Sequence, residues 1–309
     1  MLPYLLRRLA ASVVTLAGIV AITFALMHAV PGGPFEVLAG DAATPGLIAA
    51  QDAAYGLDRP LPEQFVRTLG NLLRGDLGIS FAQRGQPVAE LLAPRVRTSA
   101  ILGVLAFALV VGAGVPAGVF TATRRGSGWD LVGLGASTAL AALPSFVLAF
   151  LLLLVFAIGL GWSDVRPGAG FGTSAGSLRH AVLPAIALAA PSMALLARMM
   201  RAALIEVLGA DYVRTARAKG LDERAVVWRH GLRNALVPVL TLAGPVFANL
   251  IVGSIFGLPG VGSLFVTSIA QRDYGVIMGV TLFYDVVVIA ANLAVDLLYP
   301  VVDPRVRLA

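Results

Sequence analysis

Six runs of apolar residues alternate with polar stretches along the chain. They cover residues 9–30, 99–121, 131–160, 181–200, 235–256 and 277–299. Each is long enough to cross a bilayer as an α-helix, which needs about 20 residues. The third run is the longest and contains Pro144, which favours a kink or a break. The pattern therefore predicts an all-α polytopic membrane protein with six transmembrane helices.

The composition agrees with this class. Of the 309 residues, 58% are hydrophobic and 13% are charged, and the mean hydropathy is +0.86. Soluble domains are about 45–50% apolar and about 25% charged, so a soluble core cannot absorb this excess. The net charge is +6, but the basic residues fall between the apolar runs and do not form one face. We therefore expect a lipid bilayer around the chain and no nucleic-acid partner.

The basic residues also predict an orientation. With a cytoplasmic N-terminus, the inner connections and the two ends carry 14 Lys and Arg residues, and the short outer connections carry three. Short cytoplasmic loops are enriched in Lys and Arg, so both termini are expected inside. The first run follows Arg7 and Arg8, as in a secretory signal, but it exceeds the 7–15 apolar residues typical of one.

Residues 31–98 form a polar segment that is too long for a plain connection. In RPLPEQFVRTLGNLLRG, Pro62 suits the first turn of a helix and Gly75 suits its end. QPVAELLAPRV repeats the pattern, with Pro87 first. The predicted apolar stripes are Phe65, Leu69, Leu72 and Leu73 in one stretch and Val88, Leu91 and Leu92 in the other. We expect a small folded cap, which either docks an external partner or only covers helix ends.

The second polar interruption is DYVRTARAKGLDERAVVWRHGLRN, residues 211–234, which holds the chain's single lysine, Lys219. Asp211 suits an N-cap and Gly220 suits the position after a helix, so residues 212–219 are predicted to form a short helix. A helix this short must pack on other elements to be stable. Two interpretations stay open on the residues alone. Either the basic charges bind anionic lipid, or a partner exerts a force on the helix that moves the fourth and fifth spans together.

The sequence contains no motif for enzyme chemistry. A P-loop needs G-x-x-x-x-G-K-[ST], whereas Lys219 follows Ala218 and precedes Gly220. H-E-x-x-H is absent, and the three histidines are far apart in the sequence. We therefore expect a non-catalytic chain, and any work driven by ATP must come from another subunit.

Several segments resemble, in order and along essentially the whole chain, the membrane-spanning subunit of dipeptide/oligopeptide/nickel-type ABC importers. They are YLLRRLAASVVTLAGIVAITFALMHAVPGGP, YGLDRPLPEQF, RGDLGIS, PVAELL, DYVRTARAKGL, RHGLRNALVPVL, FGLPGVGSLF, RDYGVIMG and NLAVDLLYPVVDPRVR. The first span followed by a long outer segment is similar to the first of the two permease subunits in such systems. Where the wider superfamily has Glu-Ala-Ala, this chain has Arg214-Thr215-Ala216, which is similar to the peptide branch.

The resemblance implies the type I ABC importer permease fold, with an extracytoplasmic cap between helices 1 and 2. Residues 1–98 would form the first helix and the outer segment, residues 99–302 a five-helix core, and residues 303–309 a cytoplasmic tail. The short inner helix, at about residues 211–220, would be the coupling helix that seats in an ATPase subunit. Its coupling residues would be Asp211, Tyr212, Arg214, Thr215, Ala216, Arg217, Lys219 and Gly220.

The resemblance also implies partners and a location. The chain would lie in the bacterial cytoplasmic (inner) membrane, with a second homologous permease subunit, two cytoplasmic ATPase subunits and an extracytoplasmic substrate-binding protein. ATP and Mg would bind in the ATPase subunits, and this chain would bind no cofactor. It would form half of a pathway for peptides, with nickel chelates, glutathione or oligosaccharides as alternatives. An ion-coupled secondary transporter or channel is the alternative from another class, but no pair of inverted repeats is visible.

The sixth run contains polar residues on one line. Asp285 and Asn292 are seven residues apart and fall within about 20° of each other on a helix. A charged Asp at the centre of a membrane helix costs about 2.5–3.5 kcal/mol, so Asp285 should face the protein interior. It is either a hydrogen-bonded packing residue or, with Asn292, part of the translocation path.

The orientation can be tested by cysteine labelling, since the chain has no native cysteine. We expect Arg125→Cys, Ala225→Cys and Arg307→Cys to react with an impermeant maleimide only from the cytoplasmic side, and Gln83→Cys only from outside. Labelling of Arg307→Cys from outside would contradict the six-span topology.

Overall fold

The computed structural model describes residues 2–162, 175–253 and 258–302. Five helices within these ranges are long and apolar enough to cross a membrane: Leu6–Ala29, Val88–Thr123, His180–Leu208, Glu223–Val252 and Tyr274–Val301. A bent pair, Gly128–Ala142 and Ser145–Gly159, makes a sixth span if it counts as one. On that count, the predicted six transmembrane helices are confirmed.

The bend in the third span has a local cause. The two halves meet at an angle of 102°. A proline disfavours the helical conformation in the residue before it, and Leu143, which precedes Pro144, is extended with φ −77° and ψ 122°. The interruption predicted from Pro144 is therefore confirmed.

Fourteen α-helical segments follow one another along the described part of the chain. They are α1 (Leu2–Ala29), α2 (Pro34–Ala39), α3 (Pro45–Tyr55), α4 (Leu61–Leu73), α5 (Val88–Leu109), α6 (Val115–Thr123), α7 (Gly128–Ala142), α8 (Ser145–Leu152), α9 (Ala175–Leu208), α10 (Asp211–Ala218), α11 (Glu223–Ala225), α12 (Leu232–Val252), α13 (Val261–Ala270) and α14 (Tyr274–Val302). π-helical stretches over Val110–Gly114, Leu153–Gly159 and Val226–Gly231 continue α5, α8 and α11.

The helices belong to two units, each with its own core. The first comprises Met1–Thr98 and Pro259–Val287, and the second comprises Ser99–Leu258 and Val288–Ala309. The sequence had assigned residues 259–287 to the five-helix core. They group with the first unit because apolar side chains of α13 and α14, such as Val261 and Val276, pack against the start of α5. The predicted tail, residues 303–309, lies outside the described residues.

The predicted apolar stripes of the outer segment form part of the first unit's core. Phe65 and Leu72 of α4 pack against Val20, Phe24 and Met278. The second stripe, Val88, Leu91 and Leu92, is buried. The first stripe was wrong at its end, because Leu73 in the last turn of α4 is 81% exposed. The second stripe also does not lie on a separate helix, since α5 runs without a break from the outer segment into the second span.

Asp273 fixes the loop that precedes α5. Its buried carboxylate accepts hydrogen bonds from the Ser80 hydroxyl and from the backbone N–H groups of Phe81 (3.1 Å) and Ala82 (3.3 Å). Each oxygen of this carboxylate therefore has a donor, as a buried acid requires. The contact attaches the loop to the start of α14.

In the second unit, α9 is the helix around which others pack. It contacts α6, α7, α8 and α12. A bidentate ion pair joins it to α7, with Arg201 Nε and Nη2 each 2.7 Å from the oxygens of Asp130. Gly126 N–H also donates to Asp130, so the carboxylate is satisfied although its side chain is only 4% exposed.

Small residues let α6 approach α9 closely. A Cβ atom at Gly118 would lie 2.5 Å from the carbonyl oxygen of Ala197 and 2.6 Å from Cβ of Met200. A Cβ atom at Gly112, one turn and a half earlier, would meet nothing within 4 Å. The two glycines therefore form a matched pair, one at a close contact and one in open space.

We expect Gly118→Ala to destabilise the second unit and Gly112→Ala to leave it unchanged. Overpacking of this kind costs about 1–3 kcal/mol. The thermal unfolding midpoint of the purified protein in one detergent should fall by several degrees for Gly118→Ala alone. Equal midpoints for both variants would show that the α6–α9 contact tolerates a side chain.

Candidate functional site

The short inner helix that the sequence predicts is present as α10, Asp211–Ala218. The predicted N-cap is wrong by one residue. Ala210, extended at φ −71° and ψ 150°, occupies the cap position, and no side chain caps the helix. Asp211 lies in the first turn, where a negative charge suits the helix dipole, and its carboxylate pairs with Arg214 at 3.2 Å.

The helix ends as predicted. Lys219 is the C-cap residue, and Gly220 follows with φ +80°, a left-handed conformation that suits glycine. The backbone N–H of Leu221 donates to the carbonyl of Ala216 at 3.4 Å, which closes the helix end. A Cβ atom at Gly220 would meet nothing within 4 Å, so the demand for glycine here comes from the backbone alone.

One face of α10 packs inward. Val213 is fully buried and Ala216 is 6% exposed, and both cluster with Val226, next to Leu208 and Leu221. Helical spacing of three residues places Val213 and Ala216 side by side. α10 therefore lies against the end of α9 and the beginning of the fifth span. Ala216, which was predicted as a coupling residue, points into this contact.

Polar contacts hold α10 at both ends. Arg217 donates to the carbonyl of Leu208, the last residue of α9, at 3.2 Å, and pairs with Glu223 at 2.7 Å. Hydrogen bonding to Glu223 raises the pKa of the Arg217 guanidinium, which stays cationic. At the other end, the side-chain amide of Asn234 on α12 donates to the hydroxyl of Tyr212 at 2.6 Å.

The sequence reasoning missed these partners. Glu223 is six residues away from Arg217, and Asn234 is 22 residues away from Tyr212. Neither spacing belongs to the regular helix pairs at three and four residues. These residues come together because the chain turns at residues 219–222. A periodic pattern of apolar residues does not predict the direction of such a turn. The sequence offered one sign of the contact with Arg217, which is the acidic residue Glu223 directly after the turn.

The opposite face of α10 is exposed and mostly cationic. The Arg214 side chain is 72% exposed and that of Arg217 is 40% exposed. Lys219 and Thr215 also face solvent, and Thr215 donates to the carbonyl of Asp211 at 3.0 Å. α10 therefore has two faces. One packs against the neighbouring helices, and the other is charged and is not covered by any of the described residues.

The two polar residues of the sixth span lie in different surroundings. Asp285, in the first unit, is only 8% exposed, and its Oδ2 atom has no hydrogen-bond partner in the part of the chain that the structure describes. Asn292, in the second unit, lies against α12. A Cβ atom at Gly244 would be 2.8 Å from the amide oxygen of Asn292. The two residues share a helix but not a common environment.

Ligands for a metal ion are not clustered in the described ranges, 2–162, 175–253 and 258–302. No group of three or more His, Asp or Glu side chains there is arranged to hold one.

Comparison with known proteins matches two family models to this chain. Residues 114–308 match the model described as "Binding-protein-dependent transport system inner membrane component". Residues 1–100 match the model of the N-terminal part of such membrane components. Together the two matches include α1, the outer segment, α10 and the sixth span.

Individual relatives agree with these matches over the full length. The chain is 40% identical to the oligopeptide transport system permease protein OppB of Salmonella typhimurium, in an alignment of 313 positions that covers 99% of this chain and all of the relative. It is 39% identical to OppB of Haemophilus influenzae with the same coverage. It is also 40% identical to a putative peptide transport system permease protein of Brucella abortus, over 98% of each chain.

These matches confirm the resemblance seen in the sequence, and the fold is the type I ABC importer permease fold. The chain belongs to the family of inner-membrane components of binding-protein-dependent transport systems.

Proposed function

We propose that this protein is the permease subunit of a peptide importer, in which it forms half of the translocation pathway. It pairs with a second homologous permease subunit, two cytoplasmic ATPase subunits and an extracytoplasmic peptide-binding protein. The names of the relatives, which describe oligopeptide and peptide transport permeases, support peptides as the substrate. The lack of a P-loop supports ATP and Mg binding in the partner subunits and no cofactor in this chain.

The geometry of α10 is the observation that carries the proposal. Its buried face packs against the neighbouring helices, while Arg217 and Tyr212 attach it to the end of α9 and to α12. A force on α10 therefore reaches both spanning helices at once. An eight-residue helix attached in this way is a mechanical link between a soluble subunit and the membrane helices.

The exposed cationic face is the proposed surface for the ATPase subunit. Arg214, Lys219 and Tyr212 would contact that subunit, while Arg217 would do so in part and also hold α10 in place. Asp211, Thr215 and Gly220 shape the helix and its ends. Ala216 contributes through packing inside the permease. Closure of the ATPase subunits on ATP would push α10 and shift α9 and α12 together.

The same proposal assigns the sides of the membrane. α10 and both termini face the cytoplasm, and the segment α2–α4 faces outward, where the binding protein docks. The excess of Lys and Arg in the inner connections supports this orientation.

Arg214 offers the sharpest test of coupling, because its salt bridge is with Asp211 on the same helix and does not attach α10 to another element. Arg217 is less suitable, since its loss would also release α10 from Leu208. We expect Arg214→Glu to reduce uptake of a labelled oligopeptide about tenfold and to weaken co-purification of the ATPase subunits, because charges at the rim of an interface steer and hold the partner. Membrane insertion should be normal.

Arg125→Glu is the control, since Arg125 is also an exposed arginine on an inner connection but lies outside α10. It should keep uptake near the wild-type rate. Full uptake by Arg214→Glu would contradict the coupling role of α10. Uptake of nickel, glutathione or an oligosaccharide without uptake of peptide would contradict the substrate assignment.

We also propose that Asp285 lines the translocation path and, together with Asn292, offers polar groups to the passing substrate. Burial of the carboxylate without a partner for Oδ2 supports this role, since a purely structural acid would be expected to have its donors. Asn292 would act two helical turns further along α14, beside Gly244 of α12.

Asp285→Asn keeps the shape of the side chain and removes its charge. We expect uptake of a peptide with an extra cationic group to fall about tenfold more than uptake of an anionic one, because a charge-assisted hydrogen bond is lost only for the former. Equal losses for both peptides in Asp285→Asn, or failure of the complex to assemble, would assign Asp285 to packing.

A further inference from the structure

A cavity of about 330 Å³ lies inside the first unit, outside the site described above. The end of α1, the turn after α3, α4, the loop before α5 and the start of α14 form its wall. Sites for small molecules measure about 300–1,000 Å³. The cavity is therefore large enough for a small organic molecule.

Aromatic rings form one side of the cavity. Phe24, His28, Tyr274, Phe81 and Tyr55 follow one another, with ring centroids between 4.2 and 6.2 Å apart. All five rings line the cavity. Such a wall favours a flat apolar group, which stacks on ring faces or meets ring edges.

Several polar groups in the wall are already occupied by the protein. His28 contacts the carbonyl of Phe24 at 2.8 Å and the amide oxygen of Gln64 at 3.2 Å. The Gln64 amide nitrogen donates to two backbone carbonyls, and Thr68 donates to a third. Asp76 accepts from the backbone N–H of Gly78 at 2.8 Å. His28, Gln64 and Thr68 therefore serve to build the wall, while Asp76, which uses only one carboxylate oxygen, adds a negative charge to the lining.

Arg67 differs from them. Its guanidinium lies over Gly56, where a Cβ atom would be 2.8 Å from Nη1 of Arg67 and 3.7 Å from Nε of Arg59. Gly56 has φ +73°, a left-handed conformation that suits glycine, and a side chain there would also collide with Arg67. Two guanidinium groups therefore converge at one residue. Arg59 pairs with Glu63, whereas Arg67 has no carboxylate or carbonyl partner in residues 2–162, 175–253 and 258–302.

Other free donors lie around the same cavity. Asn71 and Tyr55 line it, and neither side chain makes a hydrogen bond within the described part of the chain. Asn71 is one helical turn after Arg67 on α4, so both side chains lie on the same face. An unpaired guanidinium and an amide in one cavity with aromatic rings are complementary to a carboxylate that carries a flat apolar group.

We propose that this cavity binds a small organic carboxylate with an aromatic or other flat apolar group. Arg67 and Asn71 hold the carboxylate, and the rings of Phe24, Phe81 and Tyr274 hold the apolar group. The site is separate from α10 and Asp285, and its occupancy can be measured without transport. Failure of this proposal therefore leaves the proposed transport function untouched, and the reverse also holds.

The test uses the full-length protein in lipid nanodiscs, with whatever subunits co-purify, and isothermal titration calorimetry. The probe is phenylacetate, compared with phenethylamine, which has a similar ring but a positive charge, and with acetate, which has no ring. We expect binding of phenylacetate and much weaker binding of the other two. Arg67→Gln should weaken phenylacetate at least about tenfold, because a charge-assisted hydrogen bond is lost.

Arg74→Gln is the matched control, since Arg74 is also exposed, sits at the end of the same helix and does not line the cavity. It should bind phenylacetate as the wild type does. Arg67→Lys, which keeps the charge but loses the planar fork, should fall between the two. No binding of phenylacetate to the wild type, equal binding of phenethylamine, or unchanged affinity in Arg67→Gln would each overturn the proposal.

Discussion

The second unit depends on close contact between α9 and its neighbours. Apolar side chains gain little by leaving lipid for a helix interface, so helices in a membrane associate through van der Waals contact between small residues. The buried residues of α9 are accordingly rich in alanine: Ala181, Ala185, Ala187, Ala189, Ala190, Ala194, Ala197 and Ala203. On the other side of the contact, Gly114 and Gly118 bring backbone next to the carbonyls of Met193 and Ala197. The bidentate pair of Arg201 with Asp130 then fixes α7 in the same arrangement.

Close packing of α9 supports the proposed role of α10. A loop attached to a loosely packed helix would absorb a displacement locally. The carbonyl of Leu208, the last residue of α9, instead accepts a hydrogen bond from Arg217, and Asn234 of the next spanning helix donates to Tyr212. The buried side chains of Val213 and Val226 pack together, next to Leu208 at the end of α9. If α10 is the coupling helix, as proposed, its displacement would move α9 and α12 with it, because close-packed interfaces are not continuously deformable.

The sequence predicted features that arise from local chemistry. The apolar runs predicted the spans, Pro144 predicted the bend, and the pair of Asp211 and Gly220 located α10 to within one residue. Features that depend on distant chain segments were not predictable in this way. The pairing of Arg217 with Glu223 requires the turn between them, and the exposure of Leu73 requires knowledge of which elements cover α4. The grouping of residues 259–287 with the first unit depends on contacts with Val88, Leu91 and Leu92, far away in the sequence.

Two buried carboxylates show how differently this chain treats charge in apolar surroundings. Asp130 accepts from Arg201 and from Gly126 N–H, so its burial is compensated by donors within the fold. Asp285 is about as inaccessible, yet its Oδ2 atom lacks a donor among the described residues. An acid without donors weakens a fold, because desolvation of the carboxylate is not repaid. The proposed place of Asp285 on the translocation path would account for this difference, because the carboxylate would then meet its partner when substrate is present.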